Sequence, residues 1–446
     1  MATDISHNEE PGNMATDMSH IEEPGNMATD MSHNEKPGNM ATDMSDNEEP
    51  GNMETDMSHN EKPGNMETDM SHIEEPGNMA TDMSHNEKPG NMATDTSHNE
   101  KPSSQRKLRK VLGVELAPLS IPLHRRLETF AVSHFTFCFL LLGPLCILLT
   151  VILLFTRFYW VTLLSYAWLI YDRDISSQGG RRVNWCRRWQ MWKHMANFFP
   201  ARLHKTVDLD PSQNYLMGFH PHGIMAMGAF VNFSTEGTSF SQIFPGITSY
   251  LCMLKGVFLW PYAREYLLVM GLCDVSRGSL DFILGKSGPG NMAVVVVGGA
   301  KESLEANPHI HRLYISKRKG FIREAIKTGA FPCPIYSFGE SDVYDQVPSL
   351  EGSKLRKFQT IFTKVMGFAP PVFKGRGFFN YSLGLLPYRR PIDTVVGKPI
   401  PVRKIENPSR EEIDEIHQKY IQRLQELFDE NKTKFGINEN VQLEII

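Results

Sequence analysis

Between Thr129 and Thr156 the chain runs for 28 residues without one formally charged side chain. A helix needs about 20 apolar residues to cross the hydrocarbon core of a bilayer, so this run is long enough alone. Arg157 follows, and then another 14 uncharged residues from Phe158 to Tyr171, with Tyr159, Trp160, Tyr166 and Trp168 among them. The pattern predicts a transmembrane or re-entrant hairpin over 129–171 with Arg157 at its turn. Gly143–Pro144 is expected to break its first arm. Basic residues stand on both sides: Arg106, Lys107, Arg109, Lys110, Arg125 and Arg126 before the run, then Arg173, Arg181, Arg182, Arg187 and Arg188 after it. Both ends are therefore expected on the cytosolic side, with the body after Asp172 facing the cytosol.

Four segments follow. Residues 1–104 are eight copies of a 13-residue unit, from MATDISHNEEPGN to MATDTSHNEKPSS. This stretch holds 23 acids and 4 lysines, a net charge of −19, which leaves +14 on the remainder. It has almost no large apolar residue except Met, so it cannot bury enough surface to offset its ordering entropy and reads as disordered. Residues 105–128 are a basic juxtamembrane segment, 129–171 the hairpin, and 172–446 the body. The six cysteines form no C-x-x-C pair. They read as small buried hydrophobes in a reducing compartment, not as a disulfide framework or zinc finger.

The body reads as α/β, a mostly parallel sheet with flanking helices. Asn214–His220 and Met292–Val297 are short buried-strand patterns, and Phe331–Phe338 is a third, which its prolines assign to an edge or to strand ends. Gly320–Thr328 reads as a helix with Gly329 as its C-cap. Ser409 and Glu412 form a capping box that opens a helix running to about Glu430, with an apolar stripe that includes Tyr420. Trp185, Trp189 and Trp192 fall at helical spacing in 183–200, the pattern of a helix lying at a membrane surface.

The residues that carry chemistry begin at His220-Pro221-His222-Gly223, directly after the first strand. Pro221 restricts the backbone and Gly223 permits a tight turn, so two imidazoles stand at a strand end, where α/β proteins place their sites. His222 is the expected general base, with His220 second. No G-x-S-x-G elbow is present, which favours direct attack by a substrate hydroxyl. Gly298 and Gly299, with Glu302, offer backbone N–H groups at a strand-to-helix turn. Arg318, Lys319 and Arg323 bring cations suited to phosphate. Neither a metal nor nucleic acid is expected.

Phe219–Gly223, Phe244-Pro245-Gly246, Val297–Ala300, Arg318–Phe321 and Tyr336–Glu340, in this order, resemble the diacylglycerol acyltransferase 2 family. The likeness covers about residues 113–446. Within the family the chain is most similar to the monoacylglycerol acyltransferases, through Val114–Leu119 and Leu386–Pro391. The resemblance implies an enzyme of the endoplasmic reticulum membrane or lipid droplet. It would use acyl-CoA as co-substrate without a further cofactor, and a homo-oligomer is compatible with it. The implied acceptor is 2-monoacylglycerol, with diacylglycerol or a long-chain alcohol as alternatives and a non-catalytic lipid-binding protein as the non-enzymatic one. Phe139, Leu140 and Leu142 are similar to the family's F-L-x-L lipid-binding motif. The glycerol-phosphate acyltransferases, which the chain also resembles, set an Asp four residues from the His. This chain has no acid there, so Glu302 and Glu236 are the expected partners of the imidazole.

Overall fold

Six consecutive buried residues, Tyr215–His220, form the strand on which the site is built. The computed structural model describes residues 110–446, apart from 112, 119, 348–351, 367 and 369. The repeat segment therefore lies outside the described residues. The main sheet has seven strands. In chain order they are β1 (Arg202–Lys205), β2 (Tyr215–His220), β3 (Thr248–Met253), β4 (Leu272–Asp274), β5 (Asn291–Val296), β6 (Phe331–Phe338) and β7 (Asp393–Val396). Their spatial order is β1-β7-β6-β2-β5-β3-β4. All neighbours are parallel except β7 and β6. The helices that matter here are α1 (Leu123–Leu154), α2 (Tyr159–Tyr171), α3 (Gln190–Phe198), α4 (Gly299–Ser303), α5 (Gly320–Thr328), α6 (Lys354–Met366) and α7 (Arg410–Asn431).

The two-residue period of β2 sorts its side chains between two layers. Tyr215, Met217 and Phe219 join one core cluster, which includes Phe135 of α1 and Trp192 of α3. Leu216 joins the other, with Phe321 of α5 and Tyr420 of α7. The capping box of Ser409 and Glu412 opens α7 as the sequence predicts.

Three expectations are corrected. Strand β6 is central, lying between β7 and β2. Its prolines are tolerated because the Pro332 and Pro334 carbonyls accept from Ile400 and Gly397 N–H. The Gly397 carbonyl, which can receive no N–H from a proline, takes the Cys333 thiol at 3.2 Å instead. The three Trp do not share a helical face. The chain leaves helical geometry at Trp189, and this resets the phase. Trp192 is buried while Trp185 stands exposed. Finally, Gly143–Pro144 does not break α1. A π-helical stretch, Cys138–Leu142, precedes it, and such a wide turn makes room for the proline ring and its missing N–H donor.

Helix α1 is long and apolar enough to cross a membrane, with a mean hydropathy of 2.9 over its most apolar 18 residues. Its first half is packed into the body through Ala131, Val132 and Phe135. Beyond Gly143 it carries mostly exposed apolar side chains, as α2 does. The two helices touch where the Thr162 hydroxyl donates to the Thr150 carbonyl at 3.4 Å.

Candidate active site

Strand β2 ends at His220, and the following His220–Pro221 peptide is cis. Gly223 has φ +58°, and a Cβ there would lie 2.9 Å from Glu340 Cγ. Glycine is needed on both counts. The strand's alternation sends His220 into the α7 layer, where its Nε2 is 3.0 Å from the Tyr420 hydroxyl. That hydroxyl is also 3.2 Å from the Gly218 carbonyl. A carbonyl only accepts, so both contacts are satisfied when Tyr420 donates to Gly218 and accepts Nε2–H from His220. His220 is fully buried, and burial depresses its pKa to about 3. It is a neutral, inward-facing group.

His222 is placed differently. Its Nδ1 lies 3.0 Å from the Gly223 carbonyl oxygen. The carbonyl can only accept, so Nδ1 carries the proton and Nε2 keeps its lone pair. Burial lowers its pKa, the hydrogen bond to Gly223 opposes that shift, and the Arg318 charge adds to it. The imidazole is therefore neutral near pH 7, with a base nitrogen available. The group that orients the ring is a backbone carbonyl, not the carboxylate expected from sequence.

Glu302 serves the turn in another way. One carboxylate oxygen accepts the His222 backbone N–H at 2.6 Å, and the other accepts the Tyr314 N–H at 3.1 Å. A Cβ on Gly298 would fall 2.2 Å from this carboxyl group, so glycine is what lets α4 bring it in. Burial raises the Glu302 pKa to about 7, against the opposing pull of the two N–H groups and Arg318. Gly299, at φ +58°, opens the turn towards Arg318, whose Nη2 would lie 3.7 Å from a Cβ there.

The remaining expected residues divide. Pro221, Gly223, Gly298, Gly299, Glu302 and Arg318 come together with His222. Glu236 does not reach an imidazole through its hydrogen bonds, which go to the Ser241 N–H and hydroxyl at 3.0 Å each. Lys319 is engaged by Asp414 of α7 at 2.7 Å. Arg323 lies one turn into α5, and its charge acts on Glu324. Phe139, Leu140 and Leu142 sit in the π-helical stretch of α1. Leu140 packs against the core while Phe139 is exposed, so the motif does not present one lipid-facing surface.

Two residues escaped the sequence reading. Tyr420 looked like one more member of an apolar stripe. Glu340 closed a recognised motif without any sign of where its carboxyl goes. It accepts the Gly228 N–H at 2.8 Å and the Ser337 hydroxyl at 3.4 Å. Burial raises its pKa to about 7. Glu302 and Glu340 thus brace the histidine turn through separate backbone N–H groups.

A neutral imidazole whose Nε2 meets no hydrogen-bond partner among the described residues stands at a strand end beside a glycine turn and an arginine, an arrangement able to act as a general base. Residues 151–446 match the diacylglycerol acyltransferase family. The chain is 49% identical to 2-acylglycerol O-acyltransferase 1 of Bos taurus over 73% of this chain and 98% of that protein. It is 48% identical to diacylglycerol O-acyltransferase 2 of Danio rerio over 71% and 88%. The 1-acyl-sn-glycerophosphate acyltransferase PlsC of Thermotoga maritima aligns with a TM-score of 0.30 and 11% identity, over 68% of this chain and 95% of that one. The chain belongs to the diacylglycerol acyltransferase family and is an O-acyltransferase of lipid biosynthesis.

Proposed function

We propose that this enzyme transfers an acyl group from acyl-CoA to a hydroxyl of 2-monoacylglycerol, giving diacylglycerol and free CoA. The observation that carries the mechanism is the hydrogen bond from His222 Nδ1 to the Gly223 carbonyl. It leaves Nε2 to take the acceptor's hydroxyl proton as the oxygen attacks the thioester carbonyl. The tetrahedral intermediate collapses with loss of the CoA thiolate, which takes the proton back from the imidazolium. The atoms balance without a cofactor. Backbone N–H groups at the Gly298-Gly299 turn and the Arg318 guanidinium suit the developing oxyanion or the CoA phosphates.

Similarity to both 2-acylglycerol and diacylglycerol acyltransferases makes diacylglycerol the second acceptor to test. The decisive assay offers labelled oleoyl-CoA with 2-monoacylglycerol, diacylglycerol or a long-chain alcohol to membranes that contain the enzyme. Preference for diacylglycerol or the alcohol would overturn the acceptor assignment.

The α1–α2 pair is proposed as the membrane anchor, in the endoplasmic reticulum and on lipid droplets, with the body and both chain ends cytosolic. Both arms meet the same body. Arg389 pairs with Glu128 of α1. Trp168 of α2 donates to Glu265 at 3.1 Å. Basic flanks on both sides support the same orientation. Protease added to sealed microsomes should digest the body; protection would refute this topology.

A further inference from the structure

Helix α6 rests on the body through half-buried Leu355 and Phe362 beside Gln359, and carries two further large apolar side chains on its exposed side. Gln359 is buried, with its side-chain N–H donating to the Pro370 carbonyl at 3.0 Å. Arg356 pairs with Glu305 at 2.8 Å. Phe358 and Ile361 point outward, exposed by 58% and 64%. Lys354, Lys357 and Lys364 are exposed beside them. A helix resting on an aqueous protein surface keeps its apolar stripe inward and its outer face polar. Outward Phe and Ile among lysines is the pattern of a helix lying in a lipid headgroup region, where lysine stems cover apolar surface while their ammonium groups stay in water.

A second exposed apolar group lies on the segment 377–386, where Phe379 is 71% exposed and Leu383 and Leu385 more than half. This segment is pinned, with Gly375 N–H donating to Gly384 O and Arg376 N–H to Leu386 O. It is continuous with both neighbours. Tyr381 N–H donates to Glu115 O, and Ala117 N–H to Phe379 O, just before α1 begins. On the other side Val347 N–H donates to Val372 O, next to the Pro370 that receives Gln359. The strip also backs onto the active site, because the Tyr344 hydroxyl donates to Leu385 O at 3.1 Å and lies 3.6 Å from the Met225 sulfur.

We propose that the outward face of α6 and the 377–386 segment form a second lipid-surface contact, separate from the α1–α2 hairpin, that lays the enzyme's body against an anionic bilayer face. This rests on the membrane reading of α1 and α2. The lysines commit the surface to lipid headgroups, and its continuity with α1 commits it to the bilayer that α1 enters. The contact keeps the histidine turn close to the plane from which a lipid acceptor arrives.

The test uses the full chain in liposomes of phosphatidylcholine and phosphatidylserine. Single cysteines are introduced by Ile361→Cys, Phe379→Cys, Leu149→Cys and Glu439→Cys and labelled with nitrobenzoxadiazole. Of the native cysteines five are buried and Cys138 is half-buried, so the unsubstituted protein sets the labelling background. Acyl transfer at the parent level certifies the fold of each variant. Spin-labelled phospholipid should quench the probes at 361, 379 and 149, but not at 439. Replacing Lys354, Lys357 and Lys364 by Glu should reduce quenching at 361 several-fold. Quenching at 149 with none at 361 and 379 overturns the proposal and leaves the anchor standing. A blue-shifted probe at 361 without lipid quenching assigns the face to protein contact and overturns it equally. No quenching at 149 removes the anchor itself, and the proposal with it.

Discussion

The Glu302 carboxylate accepts the backbone N–H of His222 at 2.6 Å, so the acid in this site holds the peptide of the base and leaves its ring to the Gly223 carbonyl. The division has consequences that differ from those of a carboxylate–imidazole pair.

Replacing His222 with Ala removes the base nitrogen and nothing from the core. Acyl transfer is expected to fall by roughly 10²–10⁴-fold, with expression and membrane association unchanged. Turnover above half of wild type in a microsomal assay would refute the assignment. The lowered pKa of His222 sets the pH profile. The base is unprotonated above its depressed pKa, so kcat/KM should be level through neutral pH and fall only below the ordinary value of 6.5.

Glu302→Gln tests the brace. A glutamine has one acceptor oxygen where two N–H groups converge, so its NH2 must face a donor. Leaving one buried N–H unpaired costs about 1–3 kcal/mol. Activity should fall at least tenfold, with kcat affected more than KM, because the turn is displaced while the substrate-binding cations remain. An unaffected kcat would show the brace to be dispensable.

Arg318 and Lys319 are adjacent in sequence but should behave differently. Arg318 faces the Gly299 turn while Lys319 is paired with Asp414 near the surface. Arg318→Ala should raise KM for acyl-CoA roughly tenfold, the loss of a charge-assisted contact of about 1.5–3 kcal/mol. Lys319→Ala should change it less than twofold. The reverse order would reassign the phosphate contact.

The buried carboxyls tie stability to pH. Glu340 has a pKa of about 7 in the folded chain against an ordinary 4.5. Between those values the folded chain keeps a proton that the unfolded chain has lost. Its contribution to stability therefore falls as pH rises through that window. His220 acts oppositely, at about 3 folded against 6.5 ordinarily. There the unfolded chain binds the extra proton, so stability rises with pH from about 3 to 6.5. Glu340→Gln keeps an acceptor for the Gly228 N–H and cannot titrate. Its melting temperature relative to wild type should climb from pH 5 to pH 8, and a constant difference would contradict the assignment.

Tyr420→Phe removes only the hydroxyl shared by His220 and Gly218. It should cost about 1–3 kcal/mol of stability by leaving buried polar groups unpaired. Acyl transfer at permissive temperature should stay within a few-fold, because His222 is untouched. A loss matching that of His222→Ala would move His220 into the chemistry.

The sequence by itself determined the apolar run at 129–171, the strand that ends at His220, the helix 320–328 and the capped helix after Ser409. Each rests on local patterning, on charge absence, alternation or capping within a few residues. It also carried the family, through motifs kept in order. Tertiary structure alone decided that β6 is central, since tolerance of Pro332 and Pro334 depends on which partners 397–400 present. It parted two histidines that look equivalent in sequence, because β2 alternates and only one layer contains Tyr420. It also decided which acid meets which group. Glu236, Glu302 and Glu340 are alike as letters, yet Glu236 bonds to nearby Ser241 while Glu302 and Glu340 are held by backbone N–H groups far away in the chain. Side-chain reach is a matter of distance in space, which spacing along the chain does not encode.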